Sequence, residues 1–127
     1  MSKRSVDYDL IIIGGGAAGL TAAQYGARAA LRTLVVEQAA NGGQCLLIEG
    51  LENYPGFPEP ISGMDFTERF EEQARNFGAE FKLATIKRLR KEGESFVLSS
   101  DEGELTASAV ILATGAKHRT LDVPGEH

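Results

Sequence analysis

Two places in the chain hold residues whose types and spacing could do chemistry. The first is Gly14-Gly15-Gly16-Ala17-Ala18-Gly19, a Gly-x-Gly-x-x-Gly string, with the acidic residue Glu37 further on. Such a string can bind the diphosphate of a dinucleotide. Gly14 permits a tight turn from strand to helix. Gly16 has no side chain, so a pyrophosphate can approach the backbone. Gly19 lets the helix pack on the sheet. The helix start offers unpaired N–H groups and about half a positive charge. Glu37 can accept hydrogen bonds from two ribose hydroxyls and would repel a 2′-phosphate. A plain glycine turn is the competing reading, and the context disfavours it: a strand precedes, a helix follows, and the acid ends the next strand. FAD and NAD stay undecided at this point, because both present an ADP half to the same turn. The second place is Cys45, the sole cysteine, behind Gly42, Gly43 and Gln44. A thiol in a glycine-rich loop is either a redox nucleophile or a small apolar filler.

The elements around these residues read as an α/β unit. Tyr8 to Ile13 is a nearly unbroken β-branched run, the pattern of a strand buried on both faces. Ala17 to Leu31 reads as a helix and Thr33 to Val36 as a second strand. Tyr8–Glu37 is then one βαβ unit, which implies a parallel sheet. Residues 38–61 carry four glycines and three of the four prolines. They predict a long ordered loop with a turn of helix, and loops of that length are usually functional or disordered. Residues 62–78 predict a helix with Ser62 and Asp65 as a capping box, Phe66, Phe70, Ala74 and Phe77 on one face, and Gly78 as a stop. From Glu80 the pattern alternates: a short parallel strand, then an antiparallel meander over 84–108 with turns at Glu92-Gly93 and Glu102-Gly103. Lys87, Arg88, Arg90 and Lys91 read as a solvated strand face rather than an anion site. Residues 109–115 predict a return strand. The fold class is therefore a Rossmann-like three-layer α/β fold, a parallel sheet plus an antiparallel meander.

Bulk properties exclude several functions. The length of 127 residues suits one domain, and 43% hydrophobic with 24% charged residues is globular composition. The net charge of −5 disfavours nucleic acid and anionic membrane as partners. With one cysteine and two histidines, no metal-ligand spacing occurs, so no metal site is expected. The N-terminal residues resemble a secretory signal, but Asp7, Asp9 and the glycines break its pattern. No apolar run approaches the roughly 20 residues of a membrane span. A cytoplasmic location is the expectation.

The sequence resembles the N-terminal part of a low-molecular-weight thioredoxin reductase over nearly its whole length. "YDLIIIGGGAAGLTAAQYGARA" resembles that family's opening strand and FAD turn, a block shared by many flavoproteins. "GGQ" at 42–44 with "ENYPGF" at 52–57, and "ILATGAKHRTLDVPGE", are more discriminating. The resemblance implies FAD at the first fingerprint. It implies that Gly14, Gly16, Ala17, Ala18 and Gly19 meet the pyrophosphate, with Glu37 and Gln38 at the adenosine ribose. Gly42, Gly43, Gln44 and Asn53 would line the flavin side. Ala113, Thr114 and Gly115 would pass close to the cofactor as the chain leaves. Asn53 and Pro55-Gly56 also suit plain turn chemistry.

The resemblance further implies what these 127 residues lack. The family's NADPH domain carries a second glycine fingerprint and a Cys-x-x-Cys pair, and its C-terminal segment completes the FAD fold. None of these occurs here, so the fold is expected to be incomplete and no catalytic residue is assigned. Electrons in the whole enzyme would run from NADPH through FAD to thioredoxin or a similar disulfide. The chain alone is expected not to turn over and to bind FAD weakly. The strand Ala109–Thr114 is expected to lack a neighbour and to promote a homodimer or other edge-strand association. In the related glutathione-reductase branch a Cys-x-x-x-x-Cys pair lies beside the flavin. Its second cysteine would fall at Gly50, so a disulfide relay is excluded and Cys45 reads as packing. Two alternatives stand: the FAD half of a ferredoxin–NADP reductase-like or peroxiredoxin-system flavoprotein, and a non-catalytic adenine-dinucleotide-binding module.

Overall fold

The computed structural model describes residues 5–116 and 122–125. Part of the stretch "AKHRTLDVPGEH" therefore lies outside the described residues.

Strand β1 spans Tyr8–Ile13. Successive side chains point to opposite faces. Leu10 and Ile12 join one buried cluster, and Ile11 joins another on the far side. That is why the run is apolar without alternation. Helix α1 spans Ala17–Arg28, three residues shorter than the sequence predicts. It stops because Ala30 turns to φ 65°, and the Leu31 N–H then donates back to the Gly26 carbonyl at 3.1 Å. A left-handed alanine costs about 1 kcal/mol, so no local signal marks this end. Within α1, Gly26 lets the helix lie close to the sheet: a methyl there would sit 2.8 Å from Leu10 and 2.9 Å from Thr33.

Strand β2 (Thr33–Glu37) pairs parallel with β1. The long loop follows, with a 3₁₀ turn at Gly43–Leu47 and a bridge from Leu51 to Ile61. Helix α2 spans Gly63–Asn76. The Ser62 hydroxyl accepts from the Asp65 N–H at 3.1 Å, the cap predicted from sequence. Phe66 and Ala74 are buried against the core, whereas Phe77 caps the helix end and is exposed. Strands β3 (Glu80–Leu83), β4 (Ile86–Glu92), β5 (Ser95–Ser100) and β6 (Gly103–Leu112) complete one sheet, in the order β3-β2-β1-β6-β5-β4.

The first four strands of that order run parallel, and β6, β5 and β4 form the antiparallel meander. Both helices cover one face, through Ala23, Ala27 and Ala74. The meander covers the other, where Phe96, Leu98 and Ala107 meet Ile11, Leu34 and Val36. The three layers match the expected class. Two expected pieces, the last meander strand and the return strand, are one strand. β6 pairs with β5 over Gly103–Ala107 and with β1 over Ala107–Leu112. No glycine or proline interrupts 104–112, so nothing ends the strand. Across from β1, the edge of Ser108–Leu112 has no ladder partner among the described residues. Leu112 is two-thirds exposed there. Further out on the same side, at the β4 end of the sheet, Lys87, Arg88 and Lys91 are exposed, and Arg90 pairs with Glu92 and Glu104. Charge of this kind discourages edge-to-edge pairing.

Candidate functional site

The glycine turn sits where β1 gives way to α1. The Gly14 N–H donates to the Val36 carbonyl at 2.9 Å, and its φ of 113° lies in the region that favours glycine. A methyl at Gly14 would come 2.1 Å from the Ala113 carbonyl oxygen, and one at Gly19 would come 1.9 Å from the Gly14 oxygen. Those two glycines are required by packing. Gly16 differs. Its φ is −77°, and an added methyl would meet only the Gly43 α-carbon, at 3.8 Å. The absent side chain therefore leaves room rather than relieving a clash. No side chain caps α1, and no acidic residue lies in its first turn. Its first N–H groups are free to meet an anion.

Glu37 is anchored at both oxygens. Oε1 accepts from the Gly15 N–H at 3.0 Å and Oε2 from the Ala39 N–H at 2.8 Å. A carboxylate has about four lone-pair sites, so each oxygen can still accept a ligand hydroxyl. Glu37 is half-buried, which strengthens these bonds and fixes its rotamer.

The second glycine-rich stretch docks on the first. The Gly42 N–H donates to the Gly15 carbonyl at 2.6 Å, and residues 16 and 42 form a bridge. Gly42 and Gly43 have φ of 123° and 59°. Gln44 Nε2 donates to the Ala116 carbonyl, across from the loop to the segment after β6. Gly63, at the start of α2, admits the 3₁₀ turn, since a methyl there would overlap the Cys45 carbonyl. Tyr54 and Phe57 stack edge-to-face on Phe66, at 4.8 and 5.4 Å between centroids, and hold the "NYPGF" stretch to α2.

Two adjoining cavities result. The larger, about 500 Å³, opens on Gly16, Ala17 and Ala18 at the helix start and on Glu37 and Gln38. Gly42, Gly43 and Gln44 form its second side, and Ala113, Thr114 and Gly115 its third. The smaller, about 260 Å³, lies beside Gly14 and Glu37 between Ile13, Val36, Ala84 and Ile86. Twelve of the residues expected at the site thus meet around these two spaces. Gly19 lies behind them as a packing contact, and exposed Asn53 lines neither.

Sequence reading did not single out Gly15, Ala84 or Ile86. Ala84 and Ile86 follow the end of β3, and ligands of open parallel sheets gather at such carboxyl ends, a rule that could have found them. Cys45 also lines the larger cavity and is half-buried, not the buried filler expected. The 3₁₀ turn keeps it on the cleft side while Leu46 packs under Gly42. An apolar slot, an anchored carboxylate and an uncapped helix start stand in the order of an adenine, its ribose and a diphosphate. The site fits an adenine dinucleotide. Among the described residues, no cluster of three or more His, Cys, Asp or Glu could hold a metal ion, and no helix is long and apolar enough to cross a membrane.

Comparison with known proteins agrees with this geometry. The family described as pyridine nucleotide-disulphide oxidoreductase matches residues 8–127. The thioredoxin reductase of Treponema pallidum (strain Nichols) is 52% identical over 120 residues, covering 94% of this chain and 39% of that protein. The thioredoxin reductase of Bacillus subtilis (strain 168) is 44% identical over 126 residues, covering 99% and 39%. In structure, Lactococcus lactis thioredoxin reductase superposes with a TM-score of 0.89 at 36% identity, covering 94% of this chain and 39% of that one. The chain thus spans about two-fifths of the length of these relatives.

Proposed function

The chain belongs to the pyridine nucleotide-disulphide oxidoreductase family, in its low-molecular-weight thioredoxin reductase branch, and on that premise we propose that it binds FAD and supplies the flavin-holding part of a thioredoxin-disulfide reductase. One observation carries the reading: the anchored Glu37 carboxylate faces the same cleft as the open Gly16 and the uncapped start of α1. Ile13, Val36, Ala84 and Ile86 would hold the adenine in the apolar slot. Glu37 would accept from the ribose hydroxyls and exclude a 2′-phosphate, which disfavours NADP at this fingerprint. Gly16, Ala17 and Ala18 would present N–H groups to the diphosphate. Gly42, Gly43 and Gln44 would border the flavin end, with Asn53 nearby.

Bound flavin would supply two-electron transfer between a nicotinamide and a disulfide. The chain's own residues would bind and orient it and shield it from water. These 127 residues hold one glycine fingerprint and one cysteine. Neither a nicotinamide site nor an exchanging dithiol can be built from them. We therefore assign no catalytic residue, and the NADPH-to-thioredoxin reaction would need residues beyond these. A reducing, cytoplasmic setting suits a lone thiol. The edge of Ser108–Leu112, which has no ladder partner among the described residues, would favour association with another strand, including that of a second copy.

Reconstitution tests the reading. The protein titrated with FAD at equilibrium should change flavin fluorescence along a saturable curve, with an affinity weaker than that of a complete FAD site. Addition of NADPH and oxidised thioredoxin should leave NADPH absorbance unchanged. A titration that does not saturate contradicts the FAD assignment. Steady NADPH consumption contradicts the incomplete-enzyme assignment.

A further inference from the structure

Behind the glycine turn runs a line of polar contacts that the cleft itself does not use. Asn41 Nδ2 donates to Glu71 Oε1 at 2.6 Å. The other oxygen, Glu71 Oε2, accepts from Arg75 Nε at 3.1 Å, one turn along α2. The Arg75 guanidinium lies 4.2 Å from the centroid of the Phe81 ring on β3. Phe81 in turn stands opposite Val35 of β2. The line thus ties α2 and β3 to Asn41. At its far end, Asn41 abuts Gly15: a methyl at Gly15 would come 2.2 Å from Asn41 Oδ1.

Gly15 is consequently held on three sides. Glu37 Oε1 takes its N–H, the Gly42 N–H meets its carbonyl, and the Asn41 amide covers its α-carbon. The Asn41–Glu71 bond is short and involves a carboxylate, so it orients the whole planar amide. Neither Asn41 nor Glu71 lines the two cavities of the cleft. Asn41 meets Gly15 directly, and Glu71 reaches the turn only through Asn41.

We propose that Asn41 and Glu71 are positioning residues that fix Gly15 and, through the Gly15 N–H, hold the Glu37 carboxylate in its ribose-accepting orientation. They thereby set both the affinity for an adenosine ribose and its preference over a 2′-phosphorylated one. The proposal rests on the adenine-dinucleotide reading of the cleft. Removal of Asn41 uncovers the Gly15 α-carbon and loosens the Gly15 N–H anchor of Glu37, while the Ala39 N–H still holds Oε2. Removal of Glu71 leaves the Asn41 amide unoriented, with the same result. Both changes leave the cleft walls intact.

The test compares the wild-type protein with Asn41→Ala, Glu71→Ala, their double variant and Glu71→Gln. Each is titrated with ADP and with 2′-phosphoadenosine 5′-diphosphate, and melted without ligand. Each alanine variant should weaken ADP binding about tenfold, the scale of one lost charge-assisted hydrogen bond. Binding of the 2′-phosphate analogue should not fall with it, so the preference for ADP drops by the same factor. The double variant should be no worse than either single, because the two residues act in series. Glu71→Gln keeps an acceptor for Asn41 and should return ADP affinity to within about threefold of wild type. A role in stability alone would lower the melting temperature and weaken both ligands together, and that result overturns the proposal. So does an additive double variant, or a Glu71→Gln protein that behaves as Glu71→Ala. If wild type binds ADP and the variants match it, the positioning role alone fails. If wild type binds neither nucleotide, the dinucleotide reading fails and takes the proposal with it.

Discussion

The molecule has two glycine-rich stretches side by side, Gly14–Gly19 and Gly42–Gly43, and they use glycine for different reasons. In the first, Gly14, Gly15 and Gly19 are boxed in: a methyl would meet Ala113, Asn41 or Gly14 within 2.2 Å. Only Gly16 has space beside it, and that space is the cleft. In the second, positive φ values come first, and the loop then lies backbone-to-backbone on the turn. The Gly-x-Gly-x-x-Gly spacing therefore mixes residues that hold the fold with one that admits a ligand. Substitution can pull the two jobs apart.

The largest effect is expected at Gly14. Gly14→Ala adds a backbone clash to a left-handed φ, so it should destabilise by about 3 kcal/mol or more. Thermal or urea unfolding measures this, and a wild-type midpoint would show that the turn is not boxed in. Gly16→Ala should do the reverse. Its φ of −77° tolerates a side chain, so the melting point should hold, while FAD affinity falls about 100-fold, the scale of overfilling a fitted site by one methyl. Equal losses of stability at both positions would erase the distinction drawn above.

Smaller effects should follow outside the turn. Glu37→Gln keeps the shape but loses the charge that the Gly15 and Ala39 N–H groups meet, so ADP affinity should drop about tenfold. The same change should narrow the gap between ADP and its 2′-phosphate analogue in competition titrations. Gln44→Ala removes only the bond to the Ala116 carbonyl, in an exposed part of the loop. It should cost about 1 kcal/mol or less in calorimetric stability. Cys45→Ala should be the mildest, within about 0.5 kcal/mol of wild type, because the side chain is half-buried on a cleft wall.

Much of this arrangement was legible in the sequence where local pattern decides it. The β1 run, the glycine turn and the start of α1 follow from apolar periodicity and glycine placement, and each appears at its expected position. Ser62 announces α2 by its capping chemistry, and the cap bond is present. What escaped was set by tertiary contact. Ala30 ends α1 in a conformation that alanine does not advertise. The meander and the return strand merge because β6 changes partner at Ala107, which leaves no mark on the chain. The slot between Ala84 and Ile86 forms only when the end of β3 comes to the side of Glu37. Gly15 gains its role from Asn41 and Glu71, residues distant in sequence.

The most direct test of the central claim is an equilibrium titration of the wild-type protein with FAD, followed by flavin fluorescence and competed with ADP. The account predicts saturable binding of one FAD per chain, displaced by ADP, because the ADP half fills the slot beside Glu37. Absence of saturable binding, or FAD binding that excess ADP leaves untouched, contradicts it.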